Sequence, residues 1–101
     1  MVSRMATIEV VKTWYVAFVE ERKPAKTVKS VALQVFIDAE EIMRGLDPGV
    51  LYDEQQLVSL VVDSMKIAVA KMSMLKTQKS SLLDQVSDLV YAFRVRTVGL
   101  Y

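Results

Sequence analysis

The most regular hydrophobic pattern in the chain lies in residues 25–44. Apolar residues recur there three, four and seven positions apart, as expected of an amphipathic helix with one buried side. They are Val28, Val31, Ala32, Val35, Ala39, Ile42 and Leu46. Pro24 suits the first turn of a helix, while Gly45 and the turn sequence Asp47-Pro48-Gly49 suit its end. The pattern predicts a helix over residues 25–44.

A second apolar pattern follows Asp53 and predicts a helix that extends to about residue 76. Asp53 and Gln56 have the spacing of a capping box, and Tyr52 is placed to pack on Leu57. The apolar side covers more than half of the circumference, so neighbours are expected on more than one side. Its centre is predicted to be Leu57, Leu60, Val61, Met65, Ala68, Met72 and Leu75, with Val58, Val62, Ile67 and Val69 on the flanks.

The N-terminal segment, residues 5–22, is less regular. Helical spacing collects one apolar side, which consists of Ile8, Val11, Tyr15, Phe18 and Val19. The same segment is rich in β-branched and aromatic residues, so a strand is the alternative. We favour a helix because the segment is long, contains no turn signal and has no second obvious strand to pair with.

A last helix is predicted from residue 81 to about residue 96. Its apolar stripe contains Leu82, Val86, Leu89, Val90 and Phe93. Nothing in residues 77–81 forbids a helix, so one continuous helix over residues 54–96 is the alternative. Four helices with short connections predict an all-α fold, a small up-and-down four-helix bundle that forms a single domain over residues 1–101. The alternative fold is a helical hairpin with one long C-terminal helix.

Composition argues against most catalytic chemistry. The chain contains neither cysteine nor histidine, so thiolate metal sites are excluded and the commonest general base is missing. The acidic residues of the predicted helices lie off the apolar stripes, whereas a metal site inside a bundle needs acids that project inward. We therefore predict a protein that is not an enzyme and has no cofactor, no metal site and no small-molecule substrate.

Charge and hydropathy bear on the location of the protein. Thirteen basic and twelve acidic residues give a net charge of +1, too small for a global attraction to nucleic acid or lipid. The most apolar long stretch, residues 57–75, contains Asp63, Lys66 and Lys71, each costly at the centre of a bilayer. The N-terminus shows no apolar signal-peptide core. We expect a cytoplasmic protein with no membrane partner.

Two groups of basic residues are candidates for contacts with anions or nucleic acid. The first group surrounds the predicted start of the second helix, where free amide groups and the helix dipole favour anions. It contains Arg22, Lys23, Lys26 and Lys29. The second group contains Lys76, Lys79, Arg94 and Arg96. Glu20 and Glu21 lie beside the first group, and the alternative interpretation is that they neutralise it.

Apolar residues outside the predicted stripes are the most informative feature. Four of them are predicted to contact another chain: Leu33, Ile37, Tyr91 and Val95. Because the interior of a small bundle is limited, this surplus indicates an interaction surface. The first functional hypothesis is a non-catalytic helical interaction or assembly module that forms a homo-oligomer, such as a dimer, or packs on another protein. The alternative is a nucleic-acid-associated accessory subunit that binds the phosphate backbone through the two basic groups.

Overall fold

The computed structural model describes residues 4–75 and 81–98. The elements along the chain are β1 (Met5–Ala6), α1 (Ile8–Glu21), α2 (Lys26–Ile42), β2 (Tyr52–Asp53), α3 (Glu54–Leu75) and α4 (Ser81–Val98). Within these ranges the two strands form one small sheet, and the other four elements are helices. The all-α prediction is confirmed.

The four helices form the predicted up-and-down bundle. Helices α2, α3 and α4 each pack against the other two, and α1 packs against both α2 and α4. The alternative of one continuous helix over residues 54–96 is wrong, because α3 and α4 lie against each other as separate helices. No helix of the described ranges has the length and apolar character needed to cross a bilayer.

The first helix begins later than the hydrophobic pattern predicted. Strand β1 pairs antiparallel with β2, with Met5 opposite Asp53 and Ala6 opposite Tyr52. The strand alternative is therefore correct for these two residues and wrong for the rest of the segment. Thr7 then caps α1, because its Oγ1 accepts a hydrogen bond from the Val10 amide at 3.2 Å.

The start of α3 follows the predicted capping pattern. The Asp53 Oδ2 accepts a hydrogen bond from the Gln56 amide at 3.1 Å. Tyr52 packs against the core and also ties down the preceding turn, since its hydroxyl accepts a hydrogen bond from the Asp47 amide at 3.1 Å. This end of the bundle is therefore fixed by both a helix cap and a turn.

The connection between α1 and α2, residues 22–25, is two residues longer than the sequence predicted, and its backbone conformation is unusual. Lys23 adopts a φ of 49°, in the left-handed region that is costly for a residue with a Cβ atom. Ala25 occupies the N-cap position of α2 without a side-chain hydrogen bond. Pro24 therefore lies just before the helix and not in its first turn. The backbone reverses within these few residues, which brings the end of α1 close to α2.

The core is built from aromatic rings and valines contributed by all four helices. The Tyr15 ring on α1 lies 5.5 Å from that of Phe36 on α2 and 5.2 Å from that of Phe93 on α4, measured between centroids. The largest fully buried side chains are Tyr15, Phe36, Phe93, Met65, Val11, Val19, Val35, Val58, Val61, Val62, Val86 and Val90. Each such side chain contributes roughly 1.5–3 kcal/mol through removal from water.

Three residues assigned to the apolar sides are exposed instead: Ile42, Leu60 and Ile67, the last of which was expected on a flank of the apolar side of α3. Ile42 is the last residue of α2 and lies at the end of the bundle, where less of the structure covers it. Leu60 was predicted at the centre of the apolar side of α3, but it faces outward. Helix α3 packs between α2 and α4, so the buried side is rotated toward Val58, Val62 and Val69, which were expected only on the flanks.

Candidate functional site

The four residues predicted to contact another chain differ in exposure. Ile37 on α2 and Tyr91 on α4 are 46% and 50% exposed, so both are available to a partner. Leu33 and Val95 are half-buried and belong partly to the packing of the bundle itself. A substitution at Leu33 or Val95 would therefore disturb the fold as well as any interface.

Helix α3 carries an outward apolar pair that the sequence interpretation missed. Leu60 and Ile67 are 42% and 47% exposed. They lie seven residues apart, which is close to two helical turns, so their side chains project from the same side of α3. The spacing could have indicated this pair, but it does not say which part of such a broad apolar side is left uncovered by α2 and α4.

The glutamates at the end of α1 neutralise part of both basic groups. The Lys29 Nζ lies 3.1 Å from the Glu20 Oε2, and the Arg96 Nη1 lies 2.9 Å from the Glu21 Oε1. Arg96 comes from the second predicted group, so the fold brings one member of each group to the same acidic pair. The geometry favours the interpretation of this corner as internally neutralised.

The Phe18 ring contacts two of the candidate cations, Arg22 and Arg96. The Arg22 guanidinium carbon lies 4.7 Å from the centre of the Phe18 ring, and that of Arg96 lies 5.7 Å from it. Both distances fall within the range of cation–π attraction. The two guanidinium groups are held against the protein surface by this ring.

The remaining candidate cations do not form one continuous patch within the described ranges. Lys23 and Lys26 are exposed at the α1–α2 corner. Arg94 is half-buried, with its Nε atom buried and without a hydrogen-bond partner. Lys76 and Lys79 lie outside the described residues.

A cleft of about 370 Å³ lies between α1, α4 and the start of the chain. Its walls include Trp14, Phe18 and Phe93, and its residues also form two ion pairs. Arg4 pairs with Glu54 through an Nε to Oε2 distance of 3.3 Å, in addition to the pair between Arg96 and Glu21. Four separate parts of the chain supply these residues, which is why no local motif indicated the cleft. The charges balance within the cleft.

Tyr15 is a buried ionisable group whose role is structural. Its hydroxyl donates a hydrogen bond to the Ala32 carbonyl oxygen at 3.0 Å. Burial raises the pKa of the phenol well above its ordinary value. The group therefore stays protonated, and it links α1 to α2 without offering a base.

Because the pKa of Tyr15 is raised, the free energy of unfolding should depend on pH in the alkaline range. Well below pH 10, which is about the ordinary pKa of tyrosine, both folded and unfolded chains keep the phenolic proton. Above it the unfolded chain loses the proton while the folded chain retains it, so the free energy of unfolding falls as pH rises. We expect Tyr15→Phe to reduce this slope by up to about 1.4 kcal/mol per pH unit, measured by urea denaturation across pH 8 to 11. Parallel profiles for the two proteins would contradict this role.

In the described part of the chain the acidic residues do not cluster in a way that suggests a metal site. Across residues 4–75 and 81–98, no three acidic side chains lie close enough together to hold a metal ion. Among the same residues three of the four ion pairs join two helices and the fourth joins Arg4 to the start of α3, and each pair is at least partly exposed. Glu20, Glu21, Glu40 and Glu54 thus serve in surface pairing and not in a metal site.

The chain matches no protein-family model, no curated protein and no solved structure. The proposal of function below is therefore argued from the fold and the surfaces described above.

Proposed function

We propose that the protein is a non-catalytic helical assembly module that acts by associating with a second copy of itself. The observation that carries the proposal is the exposed apolar pair on α3, Leu60 and Ile67, in a bundle whose interior is already filled. Single exposed hydrophobic residues are common on soluble proteins. Two large ones on one side of one helix give a partner a surface to bury.

The composition of the interior supports this proposal. The core contains fully buried residues from every helix, so the exposed residues on α3 are not needed to close it. Ile37 and Tyr91, which the sequence analysis predicted to contact another chain, add apolar area on other outward surfaces, but the association proposed here does not depend on them. Large apolar side chains are therefore exposed on α2, α3 and α4.

The basic groups give less support to the nucleic-acid alternative. Lys29 and Arg96 are each paired with a glutamate, and Arg22 lies over an aromatic ring. Surface cations that already have a partner must exchange it before they can neutralise a phosphate. A binding mode built on many phosphate contacts would require these cations to be available.

The mass of the protein in solution tests the proposal. Light scattering at several protein concentrations should give a mass that rises from the monomer value of 11.4 kDa toward twice that value. The curve should be the same with and without a duplex oligonucleotide of mixed sequence at low salt. A mass of 11.4 kDa at every concentration would overturn the proposal. Association that requires the oligonucleotide would also overturn it, in favour of the nucleic-acid alternative.

A further inference from the structure

The outward side of α3 combines the apolar pair with two opposite charges. Asp63 lies between Leu60 and Ile67 on the same side of the helix, since it follows Leu60 by three residues and precedes Ile67 by four. Lys66 follows Asp63 by three residues and so lies next to Asp63, farther around the helix from the apolar pair. Both charged residues are exposed. Within the described ranges neither Asp63 nor Lys66 forms an ion pair with another residue of the chain.

The order of these four residues is nearly symmetric about one point of the helix. The midpoint between Leu60 and Ile67 lies between residues 63 and 64, and the midpoint between Asp63 and Lys66 lies between residues 64 and 65. The two midpoints differ by one residue, which is about 1.5 Å along the helix axis. A second copy related by a twofold axis near this point would present the same surface in reverse order.

We infer that α3 forms an antiparallel contact with α3 of a second copy, about a twofold axis near residue 64. Leu60 of each copy then packs on Ile67 of the other. Asp63 of each copy lies within side-chain reach of Lys66 of the other, so two intermolecular ion pairs form by symmetry. This inference deepens the proposed function and rests on it, because it names the surface through which the chain associates.

The charges favour this arrangement over a parallel one. In a parallel contact in register, Asp63 would face Asp63 of the other copy and Lys66 would face Lys66. Like charges placed opposite each other oppose association, whereas complementary charges fix the register of an interface. In the antiparallel contact the two Asp63 residues also lie near the twofold axis, about 3 Å apart along the helix axis, but each then has Lys66 of the other copy at a similar distance. The antiparallel contact therefore pairs opposite charges that the parallel contact in register does not, and it also buries the apolar pair.

Charge reversal at these two positions tests the pairing. We expect Asp63→Lys alone and Lys66→Asp alone to weaken self-association by about tenfold or more, because each variant brings like charges together twice per dimer. An equimolar mixture of the two variants should regain association, since both intermolecular pairs are then opposite in charge. Both residues are exposed, so the helical circular dichroism of each variant should match that of the unaltered chain.

Disulfide trapping tests the direction of the helices. The chain contains no cysteine, so introduced cysteines can form disulfides only with each other. The double variant Leu60→Cys with Ile67→Cys should form an intermolecular disulfide on mild oxidation. Leu60→Cys alone should not, because the two copies of position 60 would be about 10 Å apart along the helix, beyond disulfide reach. Efficient trapping of Leu60→Cys alone would overturn the antiparallel arrangement.

The results separate this inference from the proposed function. If the unaltered chain remains a monomer at all concentrations, the proposed function fails and the inference with it. If the unaltered chain associates but neither charge variant weakens association, the α3 contact is wrong while self-association stands. Weakened association in both single variants, with recovery in their mixture, supports both.

Discussion

Replacing Tyr15 with alanine should destabilise the protein by about 3–5 kcal/mol, a cost typical of removing a large aromatic side chain from a core. Tyr15 is fully buried, contacts the rings of Phe36 and Phe93, and donates a hydrogen bond to the Ala32 carbonyl oxygen. Small domains have a total free energy of unfolding of only about 5–15 kcal/mol. Urea denaturation followed by circular dichroism should therefore show a large shift of the midpoint.

Tyr91→Ala provides the matched control for this experiment. Tyr91 is the same residue type but half-exposed on α4, so its replacement should change the free energy of unfolding by no more than about 0.5 kcal/mol in the monomer. Measurements at low protein concentration keep self-association from contributing. Equal costs for the two substitutions would show that Tyr15 does not hold α1 against α2 and α4.

Phe93→Ala should have a similarly large effect, about 3–5 kcal/mol. The Phe93 ring meets that of Tyr15 edge to face at a centroid distance of 5.2 Å and lies 5.6 Å from that of Phe18. Its removal takes away the main aromatic contact between α4 and α1. The loss is measured by the same denaturation experiment.

A double-mutant cycle separates the ring contact from general burial. We expect the combined Tyr15→Ala and Phe93→Ala variant to lose about 0.5–1.5 kcal/mol less than the sum of the two single losses, because the edge-to-face contact is removed only once. If the double variant is too unstable to measure, Tyr15→Leu with Phe93→Leu gives the same cycle with smaller cavities. Strictly additive losses would mean that the two rings do not stabilise each other.

Much of the fold was predictable because helical periodicity is a local signal. The predicted buried stripe of α2 is confirmed at Val28, Ala32, Val35 and Ala39, all of which are buried. The cap of α3 was also predicted correctly, since Asp53 and Gln56 are only three residues apart. In both cases the residues that determine the structure lie within a few turns of each other.

The short sheet was not predictable in the same way. Strand β1 has two residues, too few for an alternating pattern, and it pairs with a segment far along the chain. The pairing continues into a hydrogen bond from the Glu54 amide to the Arg4 carbonyl oxygen at 2.7 Å. Thr7, in contrast, was a missed local signal, because a threonine before an apolar run is a common helix cap.

The exposed apolar pair on α3, Leu60 and Ile67, could be predicted only in part. Helical spacing places Leu60 and Ile67 on one side of α3, but more than half of that helix is apolar. Which part of it becomes buried depends on where α2 and α4 pack, and spacing along one helix does not contain that information. The pairing of Arg96 with Glu21 was missed for the same reason, because the two residues are far apart in the chain.

The most direct measurement of the central claim is sedimentation equilibrium on three proteins: the unaltered chain, Ile67→Glu and Ile37→Glu. The two isoleucines are almost equally exposed, at 47% and 46%, and lie on different helices. We predict that the unaltered chain and Ile37→Glu form a dimer, while Ile67→Glu remains a monomer. A monomeric unaltered chain, or loss of the dimer on Ile37→Glu but not on Ile67→Glu, would contradict the account.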